Sequence, residues 1–342
     1  MRAAVFYRAH ELAIEDRPVP GIDAPGDVIV RVRRAAICGT DAAEWDHGPV
    51  LTRSPVILGH EFTGEVVSVG SDVTDLAVGR RVVSGAGIWC GTCPWCTVGR
   101  SNLCSSYETL GLQRDGGLAE YVRVPARTIR TVPDTVNDDA AALAQPLAVA
   151  IHAVRRSRLR PGETCVVVGI GGIGSFIVAA AQARGASRIV AIDIDEHRLE
   201  TATALGATDT YLGVGAELVD VIRSATGPDG PDVIIEATGA SQAPAAALGS
   251  VRRGGRVLLV GLQSKPREID LLGLSIREVE LIGTVAHVCD EDLPEALLVL
   301  ERQEIAPVVV DRTITLDELV PVAIAGLVGK TAKGKFLVDP AR

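Results

Sequence analysis

Four cysteines are crowded into one short stretch of the chain, at Cys90, Cys93, Cys96 and Cys104. Their pattern, C-x2-C-x2-C-x7-C, lets successive thiolates converge on one ion, and a tetrahedron of four sulfurs suits zinc. An iron–sulfur cluster is the main alternative, because thiolates at short spacings also hold those clusters. Since protein atoms would fill all four positions, such a site would be structural. We therefore predict a structural zinc lobe over about residues 88–106.

A second set of candidate ligands lies earlier in the chain, at Cys38 and at the adjacent pair His60 and Glu61. Together these residues offer one sulfur, one nitrogen and one oxygen, a plausible zinc set that leaves a position open for water or substrate. Taken singly, a lone cysteine is more often a core residue, and a His–Glu pair is more often a surface feature. On spacing alone, a catalytic metal site and unrelated residues both remain open interpretations.

A glycine-dense turn follows an apolar run, and Gly169, Gly171 and Gly174 fit the pattern G-x-G-x-x-G. This pattern allows a tight turn, close approach of a pyrophosphate to backbone N–H groups, and close packing of the following helix. Asp193 ends the next apolar run, at the distance where a carboxylate accepts hydrogen bonds from an adenosine ribose. That carboxylate would repel a 2′-phosphate, and no arginine immediately follows it. The pattern therefore favours NAD over NADP.

The elements that must position these residues change in character along the chain. Up to about residue 132 short alternating strands are separated by turn residues, which predicts a compact β-barrel-like domain. Residues 137–154 are expected to form one long linking helix. From residue 161 strands and helices alternate, which predicts an open parallel sheet with helices on both faces. We expect the last segment to return to the first domain. The first domain would then consist of residues 1–145 and 291–342, and the second of residues 146–290.

Composition narrows the functional classes. The 342 residues carry a formal net charge of −9 without clustered basic residues, so nucleic acid and anionic membranes are poor candidate partners. No apolar run reaches the length of a membrane span. The N-terminus leads directly into a strand-like pattern, so no secretory signal is expected. With cysteines grouped for metal rather than for disulfides, we predict a cytoplasmic protein.

These motifs occur in a characteristic order: Cys38-Gly-Thr-Asp, Gly59-His-Glu-x-x-Gly64, the cysteine lobe and the glycine turn. In this order the chain resembles the zinc-dependent medium-chain dehydrogenase/reductase family, in particular its sorbitol, threonine and 2,3-butanediol dehydrogenase branch. The resemblance implies an α/β fold with a GroES-like β-barrel catalytic domain and a Rossmann dinucleotide-binding domain. It also implies two zinc ions per chain, one catalytic and one structural, and assembly as a homodimer or homotetramer.

The resemblance assigns roles to individual residues. It implies that Cys38, His60 and Glu61 bind the catalytic zinc and that the Thr40 hydroxyl passes the alcohol proton outward. Where the family usually has a glutamate near the metal, this chain has Gln145, which we keep as a fourth or near ligand. The histidine that often ends the proton relay is replaced by Ala43. His47 either substitutes for it or simply lines the pocket or faces solvent.

The predicted cofactor contacts extend beyond the glycine turn to the ends of later strands. They are Gly169, Gly171, Gly172, Ile173, Gly174, Asp193, Arg198, Thr238 and Gly261.

The expected reaction is hydride transfer between NAD and a secondary alcohol or ketone, with a small diol or polyol as substrate. One alternative is a biosynthetic zinc reductase or dehydrogenase that acts on a sugar or an aminocyclitol. A different class is a non-catalytic NAD-binding regulator on the same scaffold. That class predicts loss of the metal ligands, whereas Cys38, His60 and Glu61 are all present.

Overall fold

The computed structural model describes residues 1–213 and 217–342. The chain forms two compact units, one of residues 1–148 and 288–342 and the other of residues 149–287. The two boundaries lie three residues from the predicted ones, at 145/146 and 290/291.

The first unit consists mainly of β-strands. Its strands are β1 (Arg2–Arg8), β2 (Glu11–Asp16), β3 (Asp27–Ala36), β4 (Val56–Ile57), β5 (Glu61–Val69), β6 (Arg81–Ser84), β7 (Gly87–Ile88), β8 (Glu108–Thr109), β9 (Tyr121–Pro125), β10 (Ile129–Thr131), β17 (Val310–Ile314) and β18 (Lys335–Val338). They form a sheet in the order β10-β6-β5-β3-β18-β17 with β9 also on β3, a sheet β2-β1-β4 and the two-stranded antiparallel sheet β7-β8.

Strand β3 lies at the centre of the larger sheet, where it pairs with β5, β9 and β18. Val28, Val30 and Val32 are buried in the core, whereas Arg31 is exposed. Such alternation places one face of a strand on the core and the other in water. Shifts of register interrupt its pairing with β5 at two points, and bulges of this kind bend a strand and increase its twist.

Helices in this unit are short, apart from α10. They are α1 (Gly39–His47), α2 (Pro94–Thr97), α3 (Asp138–Ala141), α10 (Cys289–Arg302), α11 (Ala306–Val309) and α12 (Ala325–Val328). Helix α4 (Ala144–Ser157) continues into the second unit.

The single helix expected over residues 137–154 is wrong, because the structure divides it into α3 and α4 with a turn at residues 142–143. Pro146 supplies the physical reason. Its ring would collide with the carbonyl of the residue four positions earlier, and it has no N–H to donate. The chain therefore starts a new helix, in which Pro146 lies in the first turn.

The second unit is a six-stranded parallel sheet in the order β13-β12-β11-β14-β15-β16. Its strands are β11 (Thr164–Val168), β12 (Arg188–Asp193), β13 (Asp209–Leu212), β14 (Val233–Glu236), β15 (Arg256–Leu259) and β16 (Glu280–Gly283). Its helices are α5 (Gly174–Ala183), α6 (Glu196–Ala204), α7 (Leu218–Thr226), α8 (Ala243–Ser250) and α9 (Leu271–Ile276).

This strand order is that of a Rossmann fold. The first three strands are added toward one edge of the sheet, and from the fourth strand, β14, which lies beside β11, strands are added toward the other edge. The central strands are buried on both faces, so their sequences are nearly continuous apolar runs. Ligands of open parallel sheets bind at the carboxyl ends of the strands beside such a reversal.

Among the described residues, no helix has the length and apolarity that crossing a bilayer requires.

Candidate metal and dinucleotide sites

Cys38 lies at the N-terminus of helix α1, where it is the capping residue. The Asp41 carboxylate accepts a hydrogen bond from the Cys38 backbone N–H at 2.9 Å, which holds the first turn in place. The Thr40 hydroxyl lies 3.6 Å from the Cys38 sulfur. Thus one turn of helix presents a thiol and a hydroxyl side by side.

His60 and Glu61 reach the same place through strand pairing. Glu61 is the first residue of β5 and pairs with Ala36, the last residue of β3. The residues that follow β3 therefore lie beside those that begin β5. As a result, one ligand atom each of Cys38, His60 and Glu61 lies within 4.8 Å of the others, and His60 and Glu61 are buried.

The cluster concentrates negative charge in a buried position. Burial opposes protonation of His60, but Cys38, Asp41 and Glu61 outweigh it and raise the pKa of this imidazole to about 10. Burial also disfavours the charged form of the Asp41 carboxyl, and for an acid this raises the pKa. Such a field favours a positive charge at its centre, and a divalent cation provides one.

Lys335 is a member of this cluster that sequence reasoning missed. Its ammonium donates to the Glu61 carboxylate and, at 3.2 Å, to the carbonyl of Ile37. Burial lowers the pKa of Lys335, but Glu61 and Cys38 outweigh it and raise the pKa. The lysine arrives on β18, which pairs with β3. No local motif marks it, although the return of the C-terminal strand to the first domain was predicted.

Asp41 is the other residue that was overlooked, and here a signal existed. It is the fourth residue of the Cys38-Gly-Thr-Asp motif, and it is fully buried. An acidic residue three positions after a helix cap is the usual reciprocal partner of that cap.

The donor set fits zinc. Thiolate, imidazole and carboxylate are its usual protein ligands, and three protein ligands with an open position characterise catalytic sites. His60 Nδ1 and Asp41 Oδ1 are buried and have no hydrogen-bond partner among the described residues. Buried polar atoms normally have a partner, so atoms without one beside a thiol and a carboxylate agree with a site built around an ion.

The four cysteines of the lobe also converge. One sulfur from each of Cys90, Cys93, Cys96 and Cys104 lies within 4.8 Å of the others. Cys93 is the capping residue of α2, and a short 3₁₀-helix (Ser101–Leu103) leads into Cys104. Four sulfurs at this separation match a closed tetrahedral site.

Backbone groups stabilise the thiolates of the lobe. The Cys90 sulfur accepts from the N–H groups of Thr92 and Cys93, which lower its pKa to about 7. N–H groups of Ser105 and Cys96 lower the pKa of Cys93 to about 6. Burial has the opposite effect on Cys96 and raises its pKa. Two of the four sulfurs are therefore held close to the ionised form that metal binding requires.

Gln145 and His47 are two further residues that the sequence associates with the Cys38 site. Gln145 is buried in the first turn of α4. The His47 side chain is 75% exposed and lies 3.2 Å from Asp46. This position matches the solvent-facing alternative more closely than a buried relay.

The glycine turn lies between β11 and α5 in the second unit. Gly169 has a φ of +91°, a conformation that favours glycine. A Cβ on Gly174 would lie 1.8 Å from the Gly169 carbonyl oxygen, so the helix packs directly on the turn. Around Gly171 and Gly172 there is open space instead. This arrangement leaves room above the N-terminus of α5, where backbone N–H groups attract a phosphate.

Asp193 is fixed at the carboxyl end of β12. One of its oxygens accepts from the Ile170 N–H of the turn at 2.6 Å, and the other from Ile194 at 2.8 Å and Asp195 at 3.1 Å. A guanidinium nitrogen of Arg198 lies 3.6 Å from this carboxylate. The acid is thus oriented by backbone groups and accompanied by one cation.

Ile173, Thr238 and Gly261, the remaining predicted contacts, lie close to the same edge of the sheet. Ile173 is the capping residue of α5, Thr238 follows β14 and Gly261 follows β15. The second unit therefore offers a site for a dinucleotide.

Comparisons with known proteins agree with this geometry. A family model described as an alcohol dehydrogenase GroES-like domain matches residues 24–134, and one described as a zinc-binding dehydrogenase matches residues 172–302. Sorbitol dehydrogenase of Bacillus subtilis (strain 168) is 37% identical over 288 residues, which is 83% of this chain and 81% of that protein.

Two crystal structures show the same architecture over nearly the whole chain. 2R,3R-butanediol dehydrogenase from Bacillus subtilis is similar with a TM-score of 0.90 and 31% identity over 99% of each chain. A zinc-binding dehydrogenase from Sinorhizobium meliloti 1021 bound to NADP is similar with the same TM-score, identity and coverage.

Fold, ligand sets and relatives together define a zinc dehydrogenase that uses a nicotinamide cofactor. The chain belongs to the zinc-dependent medium-chain dehydrogenase/reductase family and is an enzyme of the alcohol dehydrogenase type. The predicted family and the predicted fold class, a GroES-like domain with a Rossmann domain, are confirmed.

Proposed function

We propose that this enzyme interconverts a small diol or polyol and the corresponding ketone with NAD, using Cys38, Thr40, His60 and Glu61. The observation that carries the proposal is the convergence of one sulfur, one nitrogen and one oxygen ligand within 4.8 Å. The hydroxyl of Thr40, 3.6 Å from that sulfur, is the group to which we assign proton transfer.

Each residue then has a defined task. When bound, a zinc would supply Lewis acidity toward the substrate oxygen, and the nicotinamide would carry the hydride. Cys38, His60 and Glu61 hold the metal, with Gln145 as a fourth or near ligand. Thr40 accepts the hydroxyl proton of the substrate and passes it outward.

The surrounding charges keep these groups in position. Asp41 fixes the backbone at Cys38, and Lys335 neutralises and orients Glu61. Partners of this kind orient metal ligands, and their loss typically lowers metal affinity or activity about 10–100-fold.

We also propose two zinc ions per chain, the second held by the four cysteines, and a preference for NAD. The buried Asp193 carboxylate supports NAD, since it would repel a 2′-phosphate. Arg198 beside it weakens that repulsion, so the preference is expected to be moderate rather than absolute.

The substrate class rests on the relatives, because sorbitol and 2R,3R-butanediol are the substrates named for two of them. Both compounds carry vicinal hydroxyl groups. A sugar or aminocyclitol reductase would use the same ligand set, so substrate profiling has to separate the two.

A second copy of the chain is the proposed partner. Among the described residues β16 pairs only with β15, which leaves one strand edge open. Beside it on α9, Leu271, Leu272 and Ile276 expose apolar side chains, and such an edge with apolar neighbours favours pairing between copies. Light scattering should then give the mass of a homodimer or homotetramer.

We propose the cytoplasm as the location of this protein, since the seven cysteines form no disulfide among the described residues.

The test is a dehydrogenase assay with NAD and NADP across small diols, polyols and cyclitols, together with a zinc count per chain. We expect NAD-dependent oxidation of a vicinal diol or polyol and two zinc ions per chain. Turnover confined to aminocyclitols or sugar ketones would favour the alternative substrate class. A count of one zinc per chain would contradict the proposal of two zinc sites.

Asp193 gives a sharper test of cofactor choice. Asp193→Asn should raise the NADP/NAD ratio of kcat/KM about tenfold, which corresponds to 1.4 kcal/mol. The control is Glu200→Gln, which changes an exposed carboxylate on α6, the helix that follows β12. It should leave the ratio unchanged. An unaltered ratio in Asp193→Asn would contradict the role of this carboxylate.

A further inference from the structure

The last residue of β14 is a buried glutamate that no motif singled out. Glu236 is fully buried at the carboxyl end of the strand. Its Oε1 atom accepts hydrogen bonds from the backbone N–H groups of Thr238 at 2.7 Å and Gly239 at 3.1 Å, and from the Thr238 hydroxyl. One carboxylate oxygen thus fixes the loop of residues 237–239.

The same residue also fixes the loop that follows β15. The carbonyl of Glu236 accepts from the N–H groups of Val260 at 2.8 Å and Gly261 at 3.0 Å. A Cβ on Gly261 would lie 2.7 Å from Glu236 Oε2 and 2.3 Å from the Gly239 nitrogen. The two loops are therefore packed against each other with Glu236 between them.

The first of these loops rests on the glycine turn. A Cβ on Gly169 would lie 2.6 Å from the Thr238 methyl carbon and 3.0 Å from its nitrogen. This contact lies between the ends of β11 and β14, where the strand order reverses and a dinucleotide is expected to bind. Glu236 consequently sets the relative positions of three segments at that edge: the glycine turn and the loops after β14 and β15.

Stability does not explain this residue well. Oε2 is buried and has no hydrogen-bond partner among the described residues, and a buried acceptor without a partner is destabilising. An arrangement that costs stability at the mouth of a binding site is typical of residues retained for function.

We propose that Glu236 is a positioning residue for the nicotinamide cofactor: its carboxylate holds the loops after β14 and β15 against the glycine turn in the arrangement that receives the dinucleotide. The inference rests on the proposed use of that edge by NAD. It adds a residue that acts through Thr238 and Gly261 rather than by touching the cofactor.

The test uses Glu236→Gln in the zinc-loaded full chain, with NADH binding followed by nicotinamide fluorescence. Glutamine keeps an acceptor oxygen but loses the charge, and hydrogen bonds to ionised acceptors are roughly twice as strong. We expect the Kd for NADH and the KM for NAD to rise about tenfold. Zinc content and the KM of the alcohol should not change.

Asp232 provides a matched control at the opposite end of the same strand. Its carboxylate accepts from the Thr164 N–H at 2.8 Å and from Arg252 at 2.7 Å. It stands directly before β14, at the edge away from the glycine turn. Asp232→Asn should therefore lower the melting temperature and leave the Kd for NADH within twofold of wild type.

A second pair of variants keeps the inference testable if Glu236→Gln folds poorly. Thr238→Val removes the hydroxyl that donates to Glu236 at nearly constant volume, whereas Thr238→Ser keeps it. We expect weaker NADH binding in the valine variant and recovery in the serine variant. NADH binding that is unchanged in both Glu236→Gln and Thr238→Val would overturn the inference while the proposed function stands. A wild-type protein that binds neither NADH nor NADPH would overturn the proposed function, and the inference with it.

Discussion

The two clusters of candidate metal ligands in the first unit are built in opposite ways. The lobe takes all its ligands from residues 90–104, and backbone N–H groups of the same segment stabilise its sulfurs. The other cluster takes Cys38 from the start of a helix, and His60 and Glu61 from the start of a strand. Charged side chains, Asp41 and Lys335, support it.

The difference separates two kinds of metal site. Support by backbone N–H groups depends little on side-chain identity and suits a closed site that only has to persist. Support by buried charges adjusts the position and charge of each ligand, which a site that exchanges substrate requires.

The largest expected effect is on turnover. Cys38→Ser should lower kcat more than about 1,000-fold, because the loss of a metal ligand removes several kcal/mol of transition-state stabilisation. One zinc per chain should be lost, with little change in melting temperature. Cys165→Ala, which alters a buried thiol of β11, should keep both zinc ions. Normal turnover in Cys38→Ser would contradict the proposal that this cluster is catalytic and the lobe structural.

The reverse result is expected in the lobe. Cys93→Ser should lose the other zinc and destabilise the first unit by about 3 kcal/mol, a fall in melting temperature of roughly 6–12 °C. The kcat of the remaining folded enzyme should stay within about twofold, because no lobe residue takes part in the proposed reaction. Thermal denaturation and single-temperature kinetics check this, and a kcat loss as large as that of Cys38→Ser would show that the lobe is not merely structural.

The supporting charges should have an intermediate effect. Asp41→Asn keeps an acceptor for the Cys38 N–H but removes the buried charge, so zinc affinity or kcat should fall about 10–100-fold. Chelator competition and steady-state kinetics measure the two quantities. Asp46, on the same helix, lies beside the exposed His47. Asp46→Asn should therefore change neither the zinc affinity nor kcat. Equal behaviour of the two variants would mean that charge does not support this cluster.

The smallest effect should come from a side chain that touches the lobe. The Thr92 hydroxyl lies 3.7 Å from the Cys90 sulfur, which also accepts backbone N–H groups. Thr92→Val should therefore lower stability by less than about 1 kcal/mol and keep both zinc ions. Loss of the lobe zinc in this variant would show that side chains, and not the backbone, hold that site.

Sequence patterns predicted most of the fold because the signals were local. Apolar runs and the glycine turn predicted β11, α5 and β12 at the right places. The prediction of one linking helix was wrong because Pro146 breaks a helix and is compatible only with the first turn of a new one. Lys335 was missed because a lone lysine in a C-terminal strand carries no sign of its eventual partner.

By itself, the sequence determined the four-cysteine lobe and the glycine turn, because the groups of each are near neighbours in the chain, where a short loop can close without long-range order. The tertiary structure decided the rest. Pairing of β5 and β18 with β3 brought His60, Glu61 and Lys335 to Cys38, and the order of the parallel strands placed Glu236 at the reversal of the sheet. Contacts between distant segments depend on strand register and burial, which no local spacing specifies.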